Sequence, residues 1–173
     1  MSTSFTVTNH KAFGWRVSQC HLTKGHKYTV SVAADMPKGQ VQNLTLFTKG
    51  RVVGVNKDGV TPTLVPVRTA GYTNLDLPIV PAGSYEFEAH EESEWWCIDY
   101  VNNRKQLPDA KVFSLAAGGT AALPVGTKLL LCAGSVVVNG AQYSAPKVFD
   151  LSSGDVVVTA EDQCYGFTFT KVR

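Results

Sequence analysis

An internal repeat constrains the fold of this chain more than any other feature of its sequence. Residues 82–92 (AGSYEFEAHEE) align without a gap with residues 153–163 (SGDVVVTAEDQ), with a glycine, an alanine and an acidic residue in register. Further upstream, residues 46–53 align with residues 131–137 once the loop lengths are allowed to differ. The repeat therefore spans whole domains, and any site proposed in one half has a counterpart in the other half.

The ends of the repeat predict the domain boundaries. We align residues 31–34 with residues 114–117, and we place a polar, proline-terminated linker at residues 101–109. The predicted units are a first repeat over residues 27–101 and a second over residues 102–173. Residues 1–26 fall outside this alignment, and we interpret them as an N-terminal arm or extra strand that covers a sheet edge or joins a neighbouring subunit.

The periodicity of the chain predicts an all-β fold. Short segments alternate at period two or are rich in valine, and Gly, Pro, Asn or Asp bounds each of them. Asn139-Gly140 is typical of a tight hairpin, because both residues tolerate positive φ. No segment has the pattern of an amphipathic helix.

Composition argues against several classes of partner. Charged residues make up 17% of the 173 residues, the net charge is +2, and no run of Lys or Arg occurs, so we expect no nucleic-acid partner. The sequence has no stretch of 18 apolar residues and no basic, apolar leader. We therefore expect no membrane partner, and we expect a protein made in the cytoplasm without a signal peptide.

The four cysteines are predicted to be free, buried thiols. They are widely spaced, form no CxxC motif and lie within apolar or aromatic runs. In a reducing compartment such a cysteine behaves as a small apolar residue. These residues are Cys20, Cys97, Cys132 and Cys164.

The turns and strands of the second repeat follow a distinctive order. A glycine-led hairpin at residues 134–140 is followed by Ser153-Gly154-Asp155, a valine-rich strand, and an aromatic residue before Gly166-Phe167. In this order the second repeat resembles a cupin domain. Residues 111–173 carry this resemblance well and residues 27–101 more loosely. It implies two tandem cupin-like jelly-roll barrels.

The same resemblance places the metal ligands of cupin enzymes at positions that here hold other residues. Cupin enzymes use a His-x-His and a Glu before the glycine of the hairpin, and a His after the later turn. The corresponding places lie near Met36, Lys38, Asn43 and Glu94 in the first repeat, and near Thr120, Ala122, Thr127 and Tyr165 in the second. A divalent metal needs three or four donors, so we predict no metal, no cofactor and no catalytic residue set.

One segment resembles a different group of cupin-like proteins. Residues 89–96 (AHEESEWW) are similar to the Ala-His-Glu-Asp-Thr-x-Trp segment of small cupin-like proteins of tailed bacteriophages, which also carry a turn such as Lys49-Gly50. This resemblance implies a virion protein.

The richest cluster of chemically active side chains lies in that segment. In an extended strand His90, Glu92 and Glu94 would share one side, where they would form a metal or catalytic site. The repeat aligns His90 with Glu161 and Glu94 with Tyr165, which favours a solvated acidic turn instead.

Four aromatic residues are candidates for binding a partner. Adjacent strand residues face opposite ways, so one of Trp95 and Trp96 is expected to fill the barrel while the other points outward or into an interface. Phe13 and Trp15 lie in the predicted arm and are expected to contribute contacts.

We interpret the chain as a non-enzymatic structural or interaction protein, specifically a bacteriophage virion component that decorates a capsid or serves as a tail accessory. Its expected partners are other virion subunits or copies of itself, in a homo-oligomer. One alternative is a metal-dependent cupin enzyme that acts on a small molecule through His90, Glu92 and Glu94. Another is a metal-free module that binds a sugar or nucleotide at a barrel mouth lined by Tyr85, Trp95 or Trp96.

Overall fold

Every regular element in the described part of the protein is a β-strand. A computed structural model describes residues 5–12, 15–32, 43–55, 67–73, 83–99, 110–151 and 156–169. The strands are β1 (Phe5–Ala12), β2 (Trp15–Leu22), β3 (Lys27–Val32), β4 (Asn43–Lys49), β5 (Arg51–Gly54), β6 (Val67–Thr69), β7 (Gly83–Ala89), β8 (Ser93–Asp99), β9 (Ala110–Leu115), β10 (Thr120–Leu123), β11 (Thr127–Ala133), β12 (Ser135–Val138), β13 (Ala141–Ser144), β14 (Lys147–Leu151), β15 (Val156–Ala160) and β16 (Cys164–Phe169). Within the described ranges no helix is long and apolar enough to span a membrane. The all-β prediction is confirmed.

The chain divides into two compact units. The first contains Met1–Lys11 and Trp15–Arg104, and the second contains Lys105–Arg173 together with Ala12–Gly14. The linker predicted at residues 101–109 lies outside the described residues.

In the first unit, two four-stranded antiparallel sheets pack on a shared aromatic core. One sheet has the strand order β1-β2-β8-β4 and the other has the order β3-β7-β5-β6. Alternate residues of each strand point toward the facing sheet. The buried core consists of Cys20, Leu22, Phe47, Val52, Phe87, Ala89 and Trp95.

The second unit has the same construction with a different core. Its sheets have the strand orders β14-β11-β16-β9 and β10-β15-β12-β13. Its core contains apolar side chains and one thiol: Phe113, Leu129, Leu131, Val136, Val138, Phe149, Leu151, Val156, Val158, Ala160 and Cys164. Two facing antiparallel sheets in each half form the cupin-like double-stranded β-helix that the sequence resemblance implied.

Equivalent hydrogen bonds confirm the alignment of residues 82–92 with residues 153–163. Ala89 exchanges two backbone hydrogen bonds, of 2.8 and 2.9 Å, with the turn at residues 25–26. Ala160 exchanges two hydrogen bonds, both of 2.8 Å, with the turn at residues 118–119. The two aligned alanines therefore occupy the same place in the two units.

The glycine-led hairpins are equivalent as well. Gly50 has φ +92° and Gly134 has φ +93°, and each follows a strand whose register shifts by one residue just before it. A Cβ on Gly50 would lie 2.5 Å from the carbonyl oxygen of Glu92, and one on Gly134 would lie 2.6 Å from that of Gln163. Both positions need glycine for its backbone freedom and for the close approach of the next turn.

The predicted alignment of residues 31–34 with residues 114–117, at the upstream end of the repeat, is wrong. β3 pairs with β7 as β10 pairs with β15, and β2 pairs with β8 as β9 pairs with β16. Residues 114–117 therefore correspond to the end of β2 and the turn after it, not to residues 31–34. β2 is an inner strand, between β1 and β8, so the predicted arm at residues 1–26 contains a strand that belongs to the first unit itself.

The prediction of buried cysteines without disulfides is confirmed, except that Cys97 is only partly buried. None of the four cysteines forms a disulfide within the described residues; three are buried, whereas Cys97 is half-buried. Cys164 follows the turn that closes on Gly134, and burial, together with the nearby Asp162 carboxylate, raises the pKa of its thiol.

Candidate functional site

The acidic segment at residues 90–94 is mainly an exposed turn. β7 ends at Ala89 and β8 begins at Ser93, and His90, Glu91 and Glu92 lie exposed between them. The extended strand that would have aligned His90, Glu92 and Glu94 on one side is therefore interrupted. The favoured prediction, a solvated acidic turn, describes this segment.

The candidate metal ligands of this segment point to different partners. His90 Nε2 lies 3.9 Å from a Glu88 carboxylate oxygen. Glu92 accepts a 2.8 Å hydrogen bond from the backbone N–H of Lys24, and Glu94 accepts one from the Gln19 side-chain amide. Across the described ranges, no group of three His, Cys, Asp or Glu side chains is placed to hold a metal ion.

Glu92 and its repeat counterpart Gln163 each form a hydrogen bond that connects the turn in its own unit to a neighbouring segment. The Gln163 amide donates a 2.9 Å hydrogen bond to the carbonyl oxygen of Leu115, at the end of β9. Glu92 accepts its bond from Lys24, in the turn after β2. The two bonds run in opposite directions and reach different positions, but each connects the turn to the end of a strand or to the turn after one, so Glu92 supports the fold of this turn.

The remaining places of the cupin metal ligands carry no acidic or imidazole side chain in the second unit. Thr120 is exposed, Ala122 is exposed and Thr127 is buried. In the first unit, residues 36 and 38 and the side chain of Asn43 lie outside the described part of the structure.

Trp95 and Trp96 face opposite sides of β8, as predicted, but neither indole is outward. Trp95 is 5% exposed and belongs to the core of the first unit, whereas Trp96 is 0% exposed and lies outside that core cluster. His10 of β1 stacks on Trp96 with ring centroids 4.9 Å apart. Trp96 therefore does not line a barrel mouth. Its predicted contact with a partner stays a prediction, although its indole is not exposed in this chain.

The arm aromatics fall at the margin of the described structure. Phe13 lies outside the described residues, and Trp15 begins β2 but its side chain is not described. Their predicted role in partner binding stays a prediction.

A buried arginine that the sequence analysis did not single out lies inside the first unit. Arg68 is the middle residue of β6 and is 7% exposed, while its two strand neighbours are exposed. Its guanidinium carbon lies 4.4 Å from the Phe87 ring centroid, 5.0 Å from that of Tyr72 and 6.0 Å from that of Phe47. These are cation–π distances. We refer to Arg68, Tyr28, Phe47, Tyr72 and Phe87 as the Arg68 cage.

Hydrogen bonding within the Arg68 cage is incomplete. Arg68 Nη1 donates to the Tyr28 hydroxyl oxygen at 3.2 Å. Arg68 Nε and the Tyr72 hydroxyl are buried and have no hydrogen-bond partner among the residues that the structure describes. The ion pairs of the described residues include none between an Asp or Glu and Arg68.

The two phenols of the cage do not neutralise the arginine. Burial raises the pKa of Tyr28 to about 12, although the Arg68 charge opposes the shift. Burial also raises the pKa of Tyr72, again against the effect of Arg68. Both hydroxyls are therefore protonated near neutral pH, and both can donate a hydrogen bond.

No protein-family model and no curated protein matches the chain. Among solved structures it is similar to the bacterial pirin YhhW from Escherichia coli in complex with nickel(II), with 12% identity and a TM-score of 0.46, over 89% of this chain and 80% of that one. It is also similar to a cupin 2 conserved barrel domain protein from Leptotrichia buccalis, with 10% identity and a TM-score of 0.46, over 99% of this chain and 92% of that one. HutD from Pseudomonas fluorescens has 15% identity and a TM-score of 0.45, over 91% of this chain and 80% of its own.

Proposed function

We propose that this chain is a non-enzymatic interaction protein that assembles with copies of itself, and that it serves as a virion component of a tailed bacteriophage. The observation that carries the proposal is the filling of the second unit's interior. Its core cluster consists of apolar side chains and one thiol, and an interior packed in this way contributes stability rather than chemistry. The surfaces of such a unit are the parts that remain for function.

The first strand supports assembly. β1 lies at the end of the sheet order β1-β2-β8-β4, so β2 is its only partner among the described strands. It exposes two apolar side chains, with Phe5 38% and Val7 47% exposed. An open strand edge with apolar side chains readily pairs with a further strand. In the proposed oligomer, β1 of one copy pairs with β1 of another copy about a two-fold axis.

The virion assignment is supported by sequence. Residues 89–96 resemble a segment of cupin-like phage proteins, and the turn within this segment is exposed on the first unit. A virion surface protein needs exposed elements that contact other subunits. The capsid or tail partner is therefore expected to contact the first unit.

A pair of matched substitutions tests the assembly. Val7→Asp adds a charge to the exposed edge strand, and we expect it to yield a monomer while the wild type is oligomeric in native mass spectrometry. Val157→Asp is the control, because Val157 is 58% exposed on β15 of the second unit. It should keep the wild-type copy number. A monomeric wild type, or a Val7→Asp variant with unchanged copy number, would contradict the proposal.

A further inference from the structure

We propose that the Arg68 cage binds a small monocarboxylate anion. This inference goes beyond the proposed function and does not depend on assembly through β1. It rests on a charge that no carboxylate of the described residues balances, on two buried donors that have no acceptor among those residues, and on the aromatic rings that surround them.

The charge of Arg68 requires a counter-charge. An arginine stays protonated in proteins, and a buried charge that lacks a partner is strongly destabilising. Arg68 is 7% exposed. No carboxylate of the described residues forms an ion pair with it, and burial keeps Tyr28 and Tyr72 neutral. Aromatic faces attract the guanidinium but do not balance its charge.

Three groups of the cage have a proton available for a further hydrogen bond. Arg68 Nε–H and the Tyr72 hydroxyl have no acceptor within the described ranges. The Tyr28 oxygen accepts from Arg68 Nη1, so its own proton remains available for a second bond. Buried polar groups are satisfied in nearly all stable proteins. A ligand that completes this set has to accept several hydrogen bonds and carry negative charge.

The geometry of the cage favours a carboxylate over a phosphate. A planar guanidinium matches the two oxygens of a carboxylate, while the second charge of a phosphate dianion would have no cation among the cage residues. The rings of Phe47 and Phe87 are fully buried beside Arg68, where they stack on Trp95 and Tyr28 and make the surroundings of the guanidinium apolar. Tyr28 and Tyr72 are half-buried, so the cage approaches the surface on their side.

Thermal unfolding of the full chain with defined probes tests this site. Acetate and benzoate are the carboxylate probes, acetamide and benzamide are their neutral counterparts, and inorganic phosphate is the second anion, all at constant ionic strength. A ligand that binds only the native state raises the midpoint with its concentration. We expect a dose-dependent rise with at least one carboxylate and none with its amide. A rise with phosphate alone would overturn the carboxylate assignment, and no response to any probe would overturn the site.

Three variants locate the response. Arg68→Met removes the charge and keeps an apolar chain; it should abolish the rise, and in buffer without carboxylate it should be at least as stable as the wild type. Tyr72→Phe removes one unpaired donor with little change of shape and should weaken carboxylate binding by about tenfold. Lys111→Met removes an exposed charge of the second unit and should leave the response unchanged. A carboxylate-dependent rise of the unfolding midpoint in Arg68→Met that equals the wild-type rise would contradict the proposal.

Discussion

Replacement of Gly50 by alanine should destabilise the first unit far more than replacement of Gly25. Both glycines have positive φ, +92° and +86°, so alanine at either position is strained by about 1–2 kcal/mol. At Gly50 the new Cβ would collide with Ser93 Oγ and would lie 2.5 Å from the Glu92 carbonyl oxygen. At Gly25 it would meet nothing within 4 Å.

The difference between the two variants isolates the cost of the close approach. Forcing extra volume into a packed site costs about 1–3 kcal/mol. Added to the backbone strain, this gives a total of about 2–5 kcal/mol for Gly50→Ala, against about 1–2 kcal/mol for Gly25→Ala.

Urea unfolding followed by tryptophan fluorescence measures both values. The chain has 3 tryptophans, Trp15, Trp95 and Trp96, and all of them belong to the first unit, so the signal reports on the unit that carries both substitutions. Equal free energies of unfolding for the two variants would refute the close approach between Gly50 and the turn after β7. The repeat offers an independent copy of the comparison, because Gly134 and Gly118 differ in the same way; circular dichroism would follow that pair, since the second unit has no tryptophan.

Three further predictions concern buried side chains. Leu129→Ala should lower the free energy of unfolding of the second unit by about 2–5 kcal/mol, since Leu129 is 0% exposed. Circular dichroism in urea measures the loss. The control Val157→Ala, at an exposed position, should stay within about 0.5 kcal/mol of wild type. Burial raises the pKa of Cys164, so a disulfide reagent at mildly alkaline pH should label it much more slowly in native protein than in urea, and equal rates would contradict its burial. Burial raises the pKa of Tyr28 from 10.0 to about 12; because the unfolded phenol loses its proton first, stability should fall as pH rises from 10 toward 12, and Tyr28→Phe should reduce this slope.

Sequence predicted the parts of the fold where backbone geometry restricts the choice of residue. At positions 50 and 134, the positive φ and the close contacts permit only glycine. Ala89 and Ala160 are both buried, and they make equivalent backbone hydrogen bonds. Such positions preserve the alignment when strands between them diverge. β2 and β9 have no comparable marker, and period-two alternation fits many registers, so the upstream end of the repeat was misaligned.

The candidate site was largely beyond the reach of sequence patterns. Alternation correctly placed Trp95 and Trp96 on opposite faces, but it does not indicate that both faces of β8 are buried. Arg68 lies between exposed Val67 and Thr69, which inverts the usual pattern of apolar residues inside and charges outside. Arg68 is buried because it contacts Tyr28 of β3, Phe47 of β4 and Phe87 of β7, which are distant from it in the chain.

Native mass spectrometry after dialysis against divalent metal ions distinguishes a metal-free interaction protein from a metal-dependent cupin enzyme. We expect an oligomer whose mass equals a multiple of the bare chain, since His90, Glu92 and Glu94 each contact a different partner. A monomer that retains one divalent ion per chain, and loses it when His90 is replaced by alanine without unfolding, would overturn the proposed function and establish a metal site at the turn after β7.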